Sequence, residues 1–140
     1  MTRVLVPYDG SLLADRALEF AFEKFPEAEI TALYVVDTTV AFQPERFVGA
    51  NPKEVYEQRE REGQDLLAAA TETADERGVA LETALDFGQP HAVILDYADD
   101  HDVDHIVMGS HGRSALERFF VGSVADRVVN RVPVPVTVIR

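Results

Sequence analysis

Apolar residues recur along this chain in two rhythms. Short runs such as Val4-Leu5-Val6 and Ile106-Val107-Met108 are apolar without interruption, as strands are when a parallel sheet buries both faces. Between such runs, apolar positions fall three and four apart with charges elsewhere, which is the helical period. Strands are expected over residues 4–8, 29–36, 79–85, 104–108 and 132–139. Ser11 is placed to cap a helix reaching about Lys24, with Leu13, Ala17, Phe20 and Ala21 on one face. Asn51-Pro52 reads as cap and first residue of a long helix that runs to Arg77 and stops at Gly78. Its first half, through Glu62, is nearly all polar and is expected to project into solvent, whereas Leu66, Leu67, Ala70 and Ala74 form a stripe. Gly63 should weaken the middle of that helix by about 1 kcal/mol relative to alanine. Pro90 opens a third helix bearing Val93, Ile94, Tyr97 and Ala98 and ending near His101, and residues 38–50 read as the one long loop. Alternating strands and helices predict βαβ units: a single α/β domain over residues 1–140, with an open, twisted, five-stranded parallel sheet and helices on both faces. Pro133 and Pro135 lack N–H donors, which puts the last strand at an edge or limits it to pairing on one side.

The run Met108-Gly109-Ser110-His111-Gly112-Arg113-Ser114 carries the most specific chemistry, and nine residues separate Gly112 from Gly122-Ser123. Closely spaced glycines let backbone N–H groups turn toward one point with no Cβ in the way, forming a nest for anions. The run follows a buried strand and precedes Ser114-Ala115-Leu116-Glu117, whose spacing is a capping box opening a helix. Gly122 is expected to end that short helix in a left-handed conformation, and Ser123, with Asp126 three residues on, to cap another running to about Asn130. Two helix N-termini then lie close together, where unpaired N–H groups and the helix dipole favour negative charge. The bland alternative is a tight strand-to-helix turn followed by a kink.

With Gly109-x-x-Gly112, nine residues, then Gly122-Ser123, the chain resembles the ATP-binding branch of the universal stress protein (UspA-like) family. Arg3-Val4-Leu5-Val6-Pro7-Tyr8-Asp9-Gly10-Ser11 resembles that family's first strand and turn, and Leu33-Tyr34-Val35-Val36-Asp37 its second strand. Gly88-Gln89-Pro90 with Ile94 resembles the turn into its third helix, and residues 132–139 its closing strand, so the likeness spans the chain. The resemblance implies an adenine nucleotide alpha hydrolase-like fold with strand order 3-2-1-4-5. In such a sheet the winding reverses between strands one and four, and ligands bind in the crevice outside the carboxyl ends there. Those ends carry Pro7-Tyr8-Asp9 and Met108-Gly109-Ser110-His111-Gly112. By resemblance, Val35 contacts adenine through its main chain, and Pro7 and Asp9 border base and ribose. Phosphate contact falls by resemblance on Gly109, Gly112, Arg113, Gly122, Ser123 and Val124. The implied ligand is ATP, with ADP, AMP or a cyclic nucleotide left open. The implied role is a cytoplasmic stress-response regulatory module that acts as a homodimer through its C-terminal strand.

Several of these residues have two readings. Asp9 could meet ribose hydroxyls or a phosphate-bound Mg²⁺, yet an aspartate before Gly10-Ser11 is also an ordinary turn residue. Ser123 could be a cap and a ligand at once. Arg113 inside the glycine run suits phosphate pairing, but it also reads as a solvated arginine. His111, as a neutral imidazole, would add little charge beside a phosphate.

A net charge of −12 from 25 acidic and 13 basic residues argues against nucleic acid or an anionic membrane as partner, since each calls for a basic surface. Only Lys24 and Lys53 are lysines, and an acidic, arginine-weighted surface suits a high-salt cytoplasm; a solvated acidic face is the plainer account. With no cysteine, neither a disulfide framework nor a thiolate metal site is available. No apolar run approaches the roughly 20 residues of a spanning helix, and no signal-peptide pattern precedes Arg3. The cluster His101-Asp102-Val103-Asp104-His105 straddles a helix end and a strand start, so helical metal-ligand spacing is lost and no metal site is expected. There is no G-x-S-x-G elbow for a hydrolase, and no Walker pattern or lysine near the loop for phosphoryl transfer. A slow ATPase or nucleotidyl-transfer enzyme, and a nucleotide-free interaction protein, remain the competing readings.

Overall fold

A computed structural model describes residues 1–39, 51–111 and 122–140. Five strands form one sheet: β1 (Arg3–Pro7), β2 (Glu29–Asp37), β3 (Leu81–Gly88), β4 (His105–Gly109) and β5 (Val136–Ile139). Their order is β3-β2-β1-β4-β5 and every pairing is parallel. Four described helices connect them: α1 (Leu12–Lys24), α2 (Pro52–Glu76), α3 (Pro90–Asp100) and α4 (Ser123–Arg131). This is the doubly wound arrangement, with its winding reversal between β1 and β4.

Strand side chains alternate between two cores. Val4, Val6, Ile30, Ala32, Tyr34, Val36 and Val107 face Ala14, Ala17, Leu18, Ala21 and Phe22 of α1 and Leu67, Ala70 and Ala74 of α2. Leu5, Leu33, Ile106 and Met108 face Ile94 and Ala98 of α3 and Ala125 and Val128 of α4. The central strands are thus buried on both sides, which is why their sequences are apolar runs and not alternations. The buried stripe of α1 is rotated slightly from the expected one: Ala14, Leu18 and Phe22 join Ala17 and Ala21, while Leu13 and Phe20 are half-buried.

Helix ends follow side-chain chemistry where a cap exists. The Ser11 hydroxyl accepts from Ala14 N at 3.2 Å, and the Asn51 carboxamide oxygen accepts from Lys53 N at 3.0 Å. At the far end of α2, Gly78 adopts φ +70°, and the N–H groups of Gly78 and Val79 donate to the carbonyls of Asp75 and Ala74. That pair of bonds is a Schellman motif, with Val79 returning to the core. It consumes Val79, so β3 begins at Leu81 instead of the expected residue 79 and extends to Gly88.

Three other expectations are corrected. The polar first half of α2 is not wholly solvated: Tyr56 packs against the core and its hydroxyl donates to the Thr38 carbonyl at 3.1 Å. Pro133 and Pro135 precede β5 and do not lie within it, although the Pro135 carbonyl accepts from Ile106 N at 3.0 Å. Gly122 is extended at φ −61° and serves as the N-cap of α4, so it is not left-handed, and Ser123 is the first helical residue and not the cap. Residues 40–50 of the loop expected over 38–50, and the expected helix opening at Ser114, lie outside the described residues.

Candidate functional site

The carboxyl ends of β1 and β4 meet the start of α1 and the start of α4. After Pro7, the backbone N–H of Tyr8 donates to the Leu33 carbonyl at 2.8 Å, holding the chain against β2 for one more residue. The Tyr8 side chain turns into the α1/α2 core at 8% exposure, and its hydroxyl donates to Asp15 Oδ1 at 2.5 Å. Tyr8 therefore braces the site from below, and its ring is committed to the core. The Asp9 carboxylate accepts from Ser11 N at 2.9 Å, an Asx turn, and Gly10 follows at φ +77°. This turn aims α1 at the end of β4, where a Cβ on Gly109 would sit 2.8 Å from the Leu13 Cβ. Gly109 is thus required by the close approach of α1.

Ser110 binds both neighbours through its backbone: its N–H donates to the Ile139 carbonyl and its carbonyl accepts from Gly122 N, each at 2.7 Å. The second bond ties the end of β4 directly to the start of α4, bringing Gly109, Ser110 and His111 together with Gly122, Ser123 and Val124. A Cβ on Gly122 would lie 2.9 Å from the Ser110 carbonyl oxygen, so this approach, and not a positive φ, is what calls for glycine. As N-cap, Gly122 has no side chain to accept from the first turn of α4, so no side chain of the cap residue satisfies the N–H groups there. The Ser110 hydroxyl is also buried and has no hydrogen-bond partner among the described residues. Unpaired polar groups of this kind are uncommon in folded proteins.

The remaining expected residues that are described lie at the same end of the sheet. Val35 lies on β2, half-buried and packed with the α3/α4 core, and Met108 is buried beneath the loop. Ser123 is exposed and Val124 packs on that same core. Gly112, Arg113 and Ser114 lie outside the described residues. Sequence reading missed the Tyr8–Asp15 bond, because a contact made across a turn leaves no periodic signal. It also missed His91, buried at the start of α3 beside Arg127 and Arg131. Burial and then those two arginines lower its pKa from the usual histidine value. Burial likewise lowers the pKa of His105, whose Nε2 lies 2.8 Å from the Thr137 hydroxyl. His101 stacks on Tyr97 at the close of α3, so the dense His/Asp stretch is divided between a helix end and a strand start.

The family model for the universal stress protein family matches residues 1–140. The chain belongs to the universal stress protein family. It is 35% identical to universal stress protein MJ0531 of Methanocaldococcus jannaschii over 145 residues, covering 99% of this chain and 81% of that protein. Among solved structures, the universal stress protein UspA from Lactobacillus plantarum superposes with a TM-score of 0.86 at 31% identity, covering 99% of this chain and 97% of that one. Two more distant family structures share the fold. One is a universal stress protein in complex with cAMP, at 21% identity and TM-score 0.68, covering 99% of this chain and 96% of that one. The other is an Arabidopsis thaliana family protein with AMP bound, at 22% identity and TM-score 0.71, covering 99% and 91%. No helix among the described residues is long and apolar enough to cross a membrane.

Proposed function

We propose that this universal stress protein binds an adenine nucleotide, ATP in the first instance, in the crevice between Asp9 and the Gly109–Gly122 junction. In this reading nucleotide occupancy controls a cytoplasmic stress-response regulator. The observation that carries the proposal is the 2.7 Å bond from Gly122 N to the Ser110 carbonyl. It holds a glycine-lined strand end against an uncapped helix start at the winding reversal of the sheet. Uncapped N–H groups and the α4 dipole supply the local positive potential that a chain of net charge −12 otherwise lacks. In this reading Asp9, beside β1, meets ribose hydroxyls or a phosphate-bound Mg²⁺, and Val35 borders the base. AMP and cAMP in two family structures of the same fold support an adenine nucleotide as the ligand class.

Calorimetric titration of ATP into the protein and into Gly122→Val tests this. The wild type is expected to bind, and the variant to lose binding while circular dichroism reports an intact fold, because its Cβ opens the Ser110–Gly122 contact. Unchanged ATP affinity in the folded variant would overturn the assignment. Phosphate release is expected to fall well below the roughly 1–10³ s⁻¹ of efficient enzymes, since the sequence has no lysine near the loop to stabilise a transferring phosphoryl group.

A further inference from the structure

His91 is the second residue of α3 and only 7% exposed. Two arginines one turn apart on α4 converge on it, with Arg127 Nη1 3.5 Å from Nδ1 and Arg131 Nη1 3.4 Å from Nε2. A neutral imidazole has one acceptor nitrogen and one N–H, so it can accept from only one of the two guanidinium groups. Both contacts are also long for hydrogen bonds, which leaves the guanidinium donors largely uncommitted. Neither arginine takes part in the ion pairs that join Arg3 to Glu29, Lys53 to Glu57 and Arg77 to Glu19. In a chain with 25 acidic and 13 basic residues, two exposed arginines gather on one buried histidine with no carboxylate ion-paired to them among the described residues. Gln89, the N-cap of α3, makes no side-chain cap bond, so the first-turn N–H groups beside His91 add positive potential at the same place.

We propose that Arg127, Arg131 and His91 form a second anion site, between α3 and α4, that takes a small oxyanion of the phosphate class. Two forked guanidinium groups match the oxygens of a tetrahedral dianion, and charge-assisted bonds of this kind are the strong ones. The charged groups acting on the imidazole are Arg127 and Arg131, both from α4. A bound dianion offsets the repulsion between the two guanidinium groups and changes the field at the imidazole that lies between them. Free phosphate and a small phosphate monoester share this chemistry.

The test is ¹⁵N NMR of the histidine rings at constant ionic strength, with His91 assigned by His91→Gln. Inorganic phosphate is titrated first and methyl phosphate second, and the tighter of the two identifies the source. Saturable movement of the His91 resonances is expected, weakened about tenfold or more in Arg127→Gln/Arg131→Gln. The readout is the His91 ring and its dependence on the two arginines, with no nucleotide present, so it stands or falls independently of ATP binding. Should the double variant unfold, Arg131→Gln alone, altering an exposed side chain at the end of α4, gives the same readout. Stationary His91 resonances, or equal movement in a folded arginine variant, would overturn the proposal.

Discussion

Gly63 and His91 show how single positions answer to what packs on them. A Cβ on Gly63 would lie 2.4 Å from the Tyr34 ring and 3.0 Å from a Leu85 methyl, so the glycine is where α2 crosses β2 and β3. Helix propensity alone predicts a gain of about 1 kcal/mol from Gly63→Ala. Overpacking a buried ring costs about 1–3 kcal/mol and wins, so denaturant unfolding should show net destabilisation. An increase in stability would mean that Tyr34 has room to move. At His91 the pKa is lowered in the folded protein, so the unfolded chain takes up the proton first as pH falls through the ordinary histidine range near 6.5. Stability from this residue is complete above that range and is lost as pH falls toward the folded pKa. Urea unfolding of His91→Gln between pH 8 and pH 5 should therefore show a shallower decline than wild type; a decline of equal slope would remove His91 as its cause.

At the scale of elements, the apolar runs, the Ser11 and Asn51 caps and the stripe of α2 were legible in the sequence because each rests on local chemistry. What was not legible depended on tertiary contact, whether side chain meets side chain, as at Tyr8–Asp15 and His91, or backbone meets backbone. Gly122 was expected to be left-handed because glycine after a helix usually is; the Ser110 carbonyl gives it another reason to be glycine. Ser123 looked like a cap on composition, yet the cap position falls on Gly122. The glycine spacing of the candidate site was readable, while the hydrogen bond that joins its two halves was not. Gly78 offers the complementary case to Gly63, since a Cβ there meets nothing within 4 Å and only φ +70° opposes it. Gly78→Ala should lower stability by about 1 kcal/mol through backbone strain alone. Thermal unfolding checks this, and an unchanged midpoint would show that the end of α2 rearranges without cost.

For the whole molecule, the open question is what meets the outer edge of β5. Ile106 N donates to the Pro135 carbonyl and Ser110 N to the Ile139 carbonyl, so the backbone groups of residues 135, 137 and 139 turn toward β4. Those of Val136 and Val138 then face outward and leave a row that a second strand can pair with. A two-fold axis would add the same segment of another copy antiparallel, closing a homodimer instead of a fibre. Val138→Pro removes an outward donor while sparing the β4 ladder, so it should yield monomer without unfolding. Each copy carries −12, and repulsion between two copies is screened as salt rises. Dimerisation is therefore expected to strengthen with ionic strength. Sedimentation velocity across a salt series reads both effects, and a wild type that stays monomeric at micromolar concentration in high salt would exclude the β5 pairing.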